Sequence, residues 1–153
     1  KTFRLSMNYP FNVRVYGLLV DEQNRVLISD EEEHGFRFSK FPGGGLEYGE
    51  GLLEALIREF SEECALPIEV VSHFYTTDFF IKSVFNESQV ISVYYLVKAL
   101  EPLAVPLKES PYDFHDEGPI KQAFRWKAIS ELQPNELTFE TDQRVAELLI
   151  KSL

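Results

Sequence analysis

The chain has 153 residues, 25 acidic and 15 basic, for a formal net charge of −10. That balance excludes a sequence-independent grip on nucleic-acid backbone, which needs a Lys/Arg surface, but leaves open a small phosphorylated ligand, because bound cations invert a local field. With 44% hydrophobic residues and no apolar run near the ~20 residues of a membrane span, residues 1–153 read as a single packed domain with no membrane partner.

In chain order, Lys1 to Ser6 is too short and too polar for a secretory signal. Val13 to Val20 is mostly apolar and predicts a buried strand. Asp21 to Asn24 is a turn, and Arg25 to Ile28 returns as a second strand, giving a hairpin. Phe36 to Ser39 alternates with period two and ends at the breaker Pro42-Gly43-Gly44-Gly45. Glu50 to about Glu63 predicts a helix, with Leu53, Leu56, Ile57, Phe60 and Cys64 at the spacing of one apolar stripe. Pro67 stops it. Strands follow at Ile68 to Tyr75 and Val90 to Val97. Glu101 to Pro119 predicts a long loop, a kind of segment that often carries function. Ala123 to Trp126 is a short strand, and a last amphipathic helix runs from about Phe139 to Leu149. The order predicts an α/β (α+β) sandwich, a mixed sheet flanked by helices.

Cys64 falls on the apolar stripe and reads as an inert core thiol. A single cysteine cannot form an internal disulfide, which points to a reducing, cytoplasmic location.

Chemistry concentrates between Gly44 and Leu66. At 100° per residue, Glu59, Glu62 and Glu63 share an arc of about 100° on the helix, away from the apolar stripe. Close like charges cost a few tenths of a kcal/mol per pair, and a divalent cation among them gives that arrangement a purpose. Carboxylate oxygens suit magnesium, with manganese as an alternative. Gly43, Gly44 and Gly45 let bare backbone approach a ligand. Arg58 is placed to hold a carboxylate or a phosphate. Taken singly, each feature is more simply a solvated helix face or a turn; the combination is what carries weight.

Gly44, five residues, Glu50, seven residues, then Arg58-Glu59-Phe60-Ser61-Glu62-Glu63-Cys64-Ala65-Leu66 resembles the Nudix box, Gly-x5-Glu-x7-Arg-Glu-U-x-Glu-Glu-x-Gly-U. Six matches at fixed gaps amount to on the order of one chance in ten million per starting position. Ala65 departs from the pattern, standing where the family has a glycine in a left-handed conformation. Phe41 to Gly45 resembles the family's Pro-Gly-Gly lead-in, and Trp126 with Glu131-Leu132 its late strand and turn.

The resemblance implies a magnesium-dependent hydrolase that cleaves a diphosphate linkage in a nucleoside diphosphate joined to another moiety. It implies metal ligation by the Gly44 carbonyl and by Glu59, Glu62 and Glu63, with Arg58 orienting Glu59. Glu50 would support the loop and metal shell, the helix dipole being the simpler account of its place. For the general base, a box glutamate or a later loop acid serves in the family. Here Glu117 is the loop candidate chosen, ahead of Asp116 and His115. Phe36, Phe38 and Tyr48 offer faces on which a base would stack, core packing being the competing account; Phe38 is counted with Gly43, Gly44, Gly45 and Glu50 as a substrate contact. The expected partner is a small nucleotide-like substrate, with a homodimer as a further expectation from many relatives. Two other functions fit the same fold: a non-catalytic nucleotide sensor, and an isomerase of a diphosphate ester.

Overall fold

The computed structural model describes residues 10–153, so Lys1 to Ser6 lie outside the described residues. Strand β1 (Phe11–Leu19) is apolar on both sides because both are covered. Val15 and Leu19 face one core cluster, with Leu27, Leu56, Phe60, Cys64 and Phe124. Tyr16 and Leu18 face the other, with Ile28, Phe41, Tyr94, Val145 and Leu149. Strand alternation thus assigns successive residues to opposite cores.

Around β1 the strands are β2 (Arg25–Glu33), β3 (Phe36–Lys40), β4 (Gly43–Gly45), β5 (Ile68–Thr76), β6 (Gln89–Ala99) and β7 (Ile120–Ala128). They form a four-stranded mixed sheet, β4-β1-β6-β5, and a three-stranded antiparallel sheet, β3-β2-β7. β1 runs parallel to β6 and antiparallel to β4. Helix α1 (Leu52–Cys64) covers one core, and α2 (Glu140–Lys151) covers the other. This is the expected α+β sandwich, with its strands divided between two sheets. No described helix is long and apolar enough to cross a membrane.

Several strands and α2 differ from the sequence reading at their ends, and three differences bear on the site. The glycine run, read as a turn, is itself a strand: Gly43, Gly44 and Gly45 pair with Tyr16, Val15 and Arg14. Gly43 has φ +147°, and a Cβ there would run into the Val15 carbonyl, so the pairing requires glycine. Strand β2 continues past Ile28 through Asp30, Glu31, Glu32 and Glu33. An acidic run is unpromising strand material, yet three of these acids are neutralised across the sheet. Asp30 pairs with Arg125 at 2.7 Å, Glu31 with Lys40 at 3.1 Å and Glu32 with Arg37 at 2.8 Å.

Helix α1 starts at Leu52, two residues later than expected. Gly51 is its N-cap, and Glu54 accepts the Gly51 N–H at 2.7 Å. The buried face is Ala55, Leu56, Phe60 and Cys64, whereas Leu53 (47% exposed) and Ile57 (45%) point outward. Leu53 and Ile57 lie within or beside the arc of Phe60 and Cys64, so their exposure comes from lack of cover and not from the helical period.

Candidate active site

Short-range hydrogen bonds first shape the loop between β4 and α1. Arg58 donates from Nε to Glu50 at 2.7 Å and from Nη2 to the second Glu50 oxygen at 2.8 Å. Nη2 also donates to the Gly45 carbonyl at 3.0 Å. From Nη1 it reaches Glu59 at 3.0 Å and Glu62 at 3.3 Å. One guanidinium therefore ties the glycine strand, the loop and two turns of helix together, a wider role than orienting Glu59 alone. The Arg58 hydrogen bonds hold the Glu50 carboxyl down at about 2. Glu50 lies in the loop rather than in the helix, so its task is the Arg58 clamp and not the dipole.

Gly44 fits against Glu59 so closely that a Cβ would meet Oε2 at 2.5 Å and Cδ at 2.6 Å. The glycine thus lets the main chain and this carboxylate come together. Glu63, half-buried one helical turn on, accepts a hydrogen bond from Gln122 Nε2 at 3.1 Å. The same nitrogen contacts Ser29 Oγ at 3.0 Å and Glu31 Oε2 at 3.3 Å. Burial raises the Glu63 carboxyl to about 8; Lys40 opposes that rise, while neighbouring Glu59 and Glu31 add to it.

Lys40 is buried. Its Nζ pairs with Glu31 and donates to the carbonyls of Phe41 at 3.3 Å and Gly43 at 3.2 Å. Burial alone would lower it, but Glu31 and Glu63 carry it above the ordinary lysine range. The ammonium has three protein acceptors for its three protons, so it braces the glycine strand.

Among the described residues no three His, Cys, Asp or Glu side chains converge as a ready-made ion cage. Arg58 draws Glu59 and Glu62 to itself, and Gln122 holds Glu63. The site fits a hard cation in a different sense. Glu59, Glu62 and Glu63 share one face of α1, and the Gly44 backbone lies against Glu59 with no side chain between. Magnesium is commonly held by one or two carboxylates together with water and substrate phosphates, and does not need a closed cage.

Beside this cluster a crevice of about 560 Å³ opens between β1, β3, β6 and the start of α2. Phe38, 2% exposed, is part of an aromatic group at its wall. Its ring centroid lies 5.7 Å from Phe85 and 5.4 Å from Phe139. Tyr48 is fully exposed. Also lining the crevice is Asp142, which accepts the Tyr94 hydroxyl and is raised to about 6 by burial.

Glu117 is exposed in the long loop and makes no hydrogen bond or ion pair with the described residues. Its neighbour Asp116 is used locally, accepting the Gln122 N–H at 3.0 Å. Cys64 is buried, and burial pushes its thiol up to about 12. The sequence reading missed Arg14, Glu31, Lys40, Gln122 and Asp142. None sits in a motif; only the pairing of β2 with β3 and β7 brings Glu31, Lys40 and Gln122 together.

The NUDIX domain model matches residues 10–148. The chain is similar in structure to the MutT protein from Methanosarcina mazei Go1, with a TM-score of 0.70 and 15% identity over 95% of this chain and 96% of that one. It is also similar to a MutT NUDIX hydrolase from Burkholderia pseudomallei (TM-score 0.67, 17% identity, 90% and 96% covered). A third is an ADP-ribose pyrophosphatase from Streptococcus suis (0.58, 17%, 92% and 91%). A comparison with curated proteins found no match. At these identities the solved structures establish the fold alone.

Proposed function

This chain belongs to the Nudix family, and on that premise we propose that it is a magnesium-dependent pyrophosphohydrolase whose nucleotide substrate lies along the crevice with its diphosphate at the box. As a Nudix hydrolase it acts on a nucleoside diphosphate linked to another moiety. The observation that carries the reading is the contact of Gly44 backbone with the Glu59 carboxylate, fixed from the far side by Arg58.

In this reading Glu59, Glu62, Glu63 and the Gly44 carbonyl hold the ion. When bound, it would lower the charge on the bridging phosphates and ease deprotonation of the attacking water. Arg58 keeps Glu59 and Glu62 apart from solvent-driven disorder by hydrogen-bonding both. Gln122 turns Glu63 with one N–H. Glu31 and Lys40 neutralise each other, so that Lys40 braces the carbonyl of Gly43 while the local charge stays balanced. Phosphoryl transfer leaves little covalent work to side chains, and such positioning is the protein's main contribution. A box glutamate is the proposed water-activating base. Glu117 has no contact that would deliver it to the box, and no proton is routed through it.

Product masses from a panel of nucleoside triphosphates, ADP-ribose and nucleotide sugars, incubated with magnesium in ¹⁸O water, test the proposal. Turnover should place one solvent oxygen in a phosphorylated product, and Glu62→Gln should cut kcat by at least about tenfold, as loss of a charge-stabilising group does. No turnover by the wild type, with a nucleotide still bound in calorimetry, would instead make the protein a sensor. Turnover without solvent oxygen would make it an isomerase.

A further inference from the structure

Among the described residues, Arg14 is the one cation lining the crevice whose terminal nitrogens have no protein partner. Its Nε donates to the Tyr16 hydroxyl at 2.5 Å, and the guanidinium lies over the Tyr16 ring at 5.6 Å. Nη1 and Nη2 have no hydrogen bond or ion pair with any described residue, although the side chain lines the crevice. The other lining cations differ. Lys40 is consumed by Glu31 and two carbonyls, and Lys82 pairs with Glu87 at 3.0 Å on the exposed rim.

Position narrows the ligand. Arg14 pairs with Gly45 across β1 and β4, and its Nη1 lies 3.8 Å from where a Gly45 Cβ would be. It therefore stands where the crevice meets the glycine strand. The same crevice is lined by Phe85 and Phe139, packed around the buried Phe38. A ligand spanning Arg14 and these rings has an anionic group at the guanidinium and a flat apolar end among the rings. A planar guanidinium held at one nitrogen, with two free, matches two oxygens of a single phosphate. The same lining carries Arg14, Lys40 and Lys82 together with Glu31, Glu33, Glu140 and Asp142, three cations to four carboxyls, which disfavours a ligand crowded with phosphates.

We propose that Arg14 grips the phosphate attached to the nucleoside half of the substrate, fixing that half in the crevice with its base against Phe85 and Phe139. This rests on the hydrolase reading above, and it assigns a specificity-determining residue outside the box. Tyr16 is the brace that keeps the fork turned inward.

Calorimetry in EDTA with AMP, GMP, CMP and UMP and with the four parent nucleosides provides the test, on wild type, Arg14→Met and Arg14→Lys. The wild type should bind at least one monophosphate more tightly than its nucleoside. Arg14→Met should lose that preference, weakening the monophosphate by about tenfold to a hundredfold, the worth of hydrogen bonds to a charged group. Nucleoside affinity should hold, and Arg14→Lys, a point charge without the fork, should fall between. With whichever nucleotide the panel shows to be hydrolysed, KM should rise more than kcat falls. Equal monophosphate affinity in Arg14→Met and wild type overturns the assignment, as does an equal loss for nucleoside and monophosphate. A wild type that hydrolyses a nucleotide but binds none of the eight compounds also overturns it while leaving the hydrolase reading intact. A wild type that binds as expected but hydrolyses nothing refutes the hydrolase reading alone.

Discussion

Replacing Gly44 by alanine adds one methyl group at the point where backbone and carboxylate meet. The new Cβ would lie 2.5 Å from Glu59 Oε2 and 2.6 Å from Cδ, about 1 Å inside the ordinary separation of non-bonded carbons. The Gly44 backbone is not in the left-handed region, so the main chain accepts alanine and the carboxylate must move. Moving it that far breaks the 3.0 Å bond from Arg58. The bond is only part-buried, so the stability lost should be about 1 kcal/mol or less. Function should suffer more, because displacing a ligand or its support costs about 10- to 100-fold in metal affinity. Manganese titration followed by electron paramagnetic resonance reads that affinity, with a melting curve alongside to register the smaller stability change. A double-mutant cycle separates the route: in a Glu59→Ala background, Gly44→Ala should add little, since the clash is gone. Unchanged manganese affinity in Gly44→Ala, or fully additive losses in the double variant, would refute the argument.

Two further outcomes follow from single residues. Ala65 closes α1 at φ 51°, ψ 37°, donating its N–H to Ser61 while Leu66 donates to Phe60; Ala65→Gly removes a left-handed strain of roughly 1 kcal/mol and should raise Tm by about 2–4 °C in calorimetry. Asp142 is proton-bound in the folded chain up to about pH 6, because it is buried, whereas the unfolded chain releases that proton near about 3.9. Its contribution to stability is therefore complete below about pH 4 and lost as pH rises through about 6, on the order of 3 kcal/mol in all. Denaturant titrations from pH 4 to 7 should show that decline in the wild type and a flatter profile in Asp142→Asn; identical slopes would contradict it.

The box could be read from the sequence because its residues are bound to one another by local geometry. Arg58, Glu59, Glu62 and Glu63 lie on a single helix, and helical spacing alone puts them on one face. The same locality explains the limits of that reading. Leu53 and Ile57 obey the helical period and still face solvent, since period says that residues share a face but not what covers it. The glycine run reads as a breaker because glycine is permissive. Nothing local reveals that β1 lies alongside with carbonyls close enough to exclude a Cβ and turn the run into an edge strand.

The crevice was not legible for a stronger reason. The decisive side chains of the crevice and of its border with the box take their chemistry from what the fold places around them, not from their neighbours in sequence alone. Glu31 belongs to an acidic run that looks solvated until Lys40 is placed across from it at 3.1 Å. Gln122, unremarkable after a long loop, becomes the support of Glu63 only because β7 runs beside β2. Arg14 alternates with Tyr16 on β1, and period two predicts no more than that both point the same way. What singles Arg14 out is subtraction: the buried Lys40 beside it has its protons committed, and Arg14 keeps two nitrogens without a partner among the described residues. A count of unspent donors needs the whole fold, whereas the box needs little beyond one helix and the glycine strand before it. On the function proposed above, the reaction is written mostly in one continuous stretch, and the choice of substrate in contacts between strands.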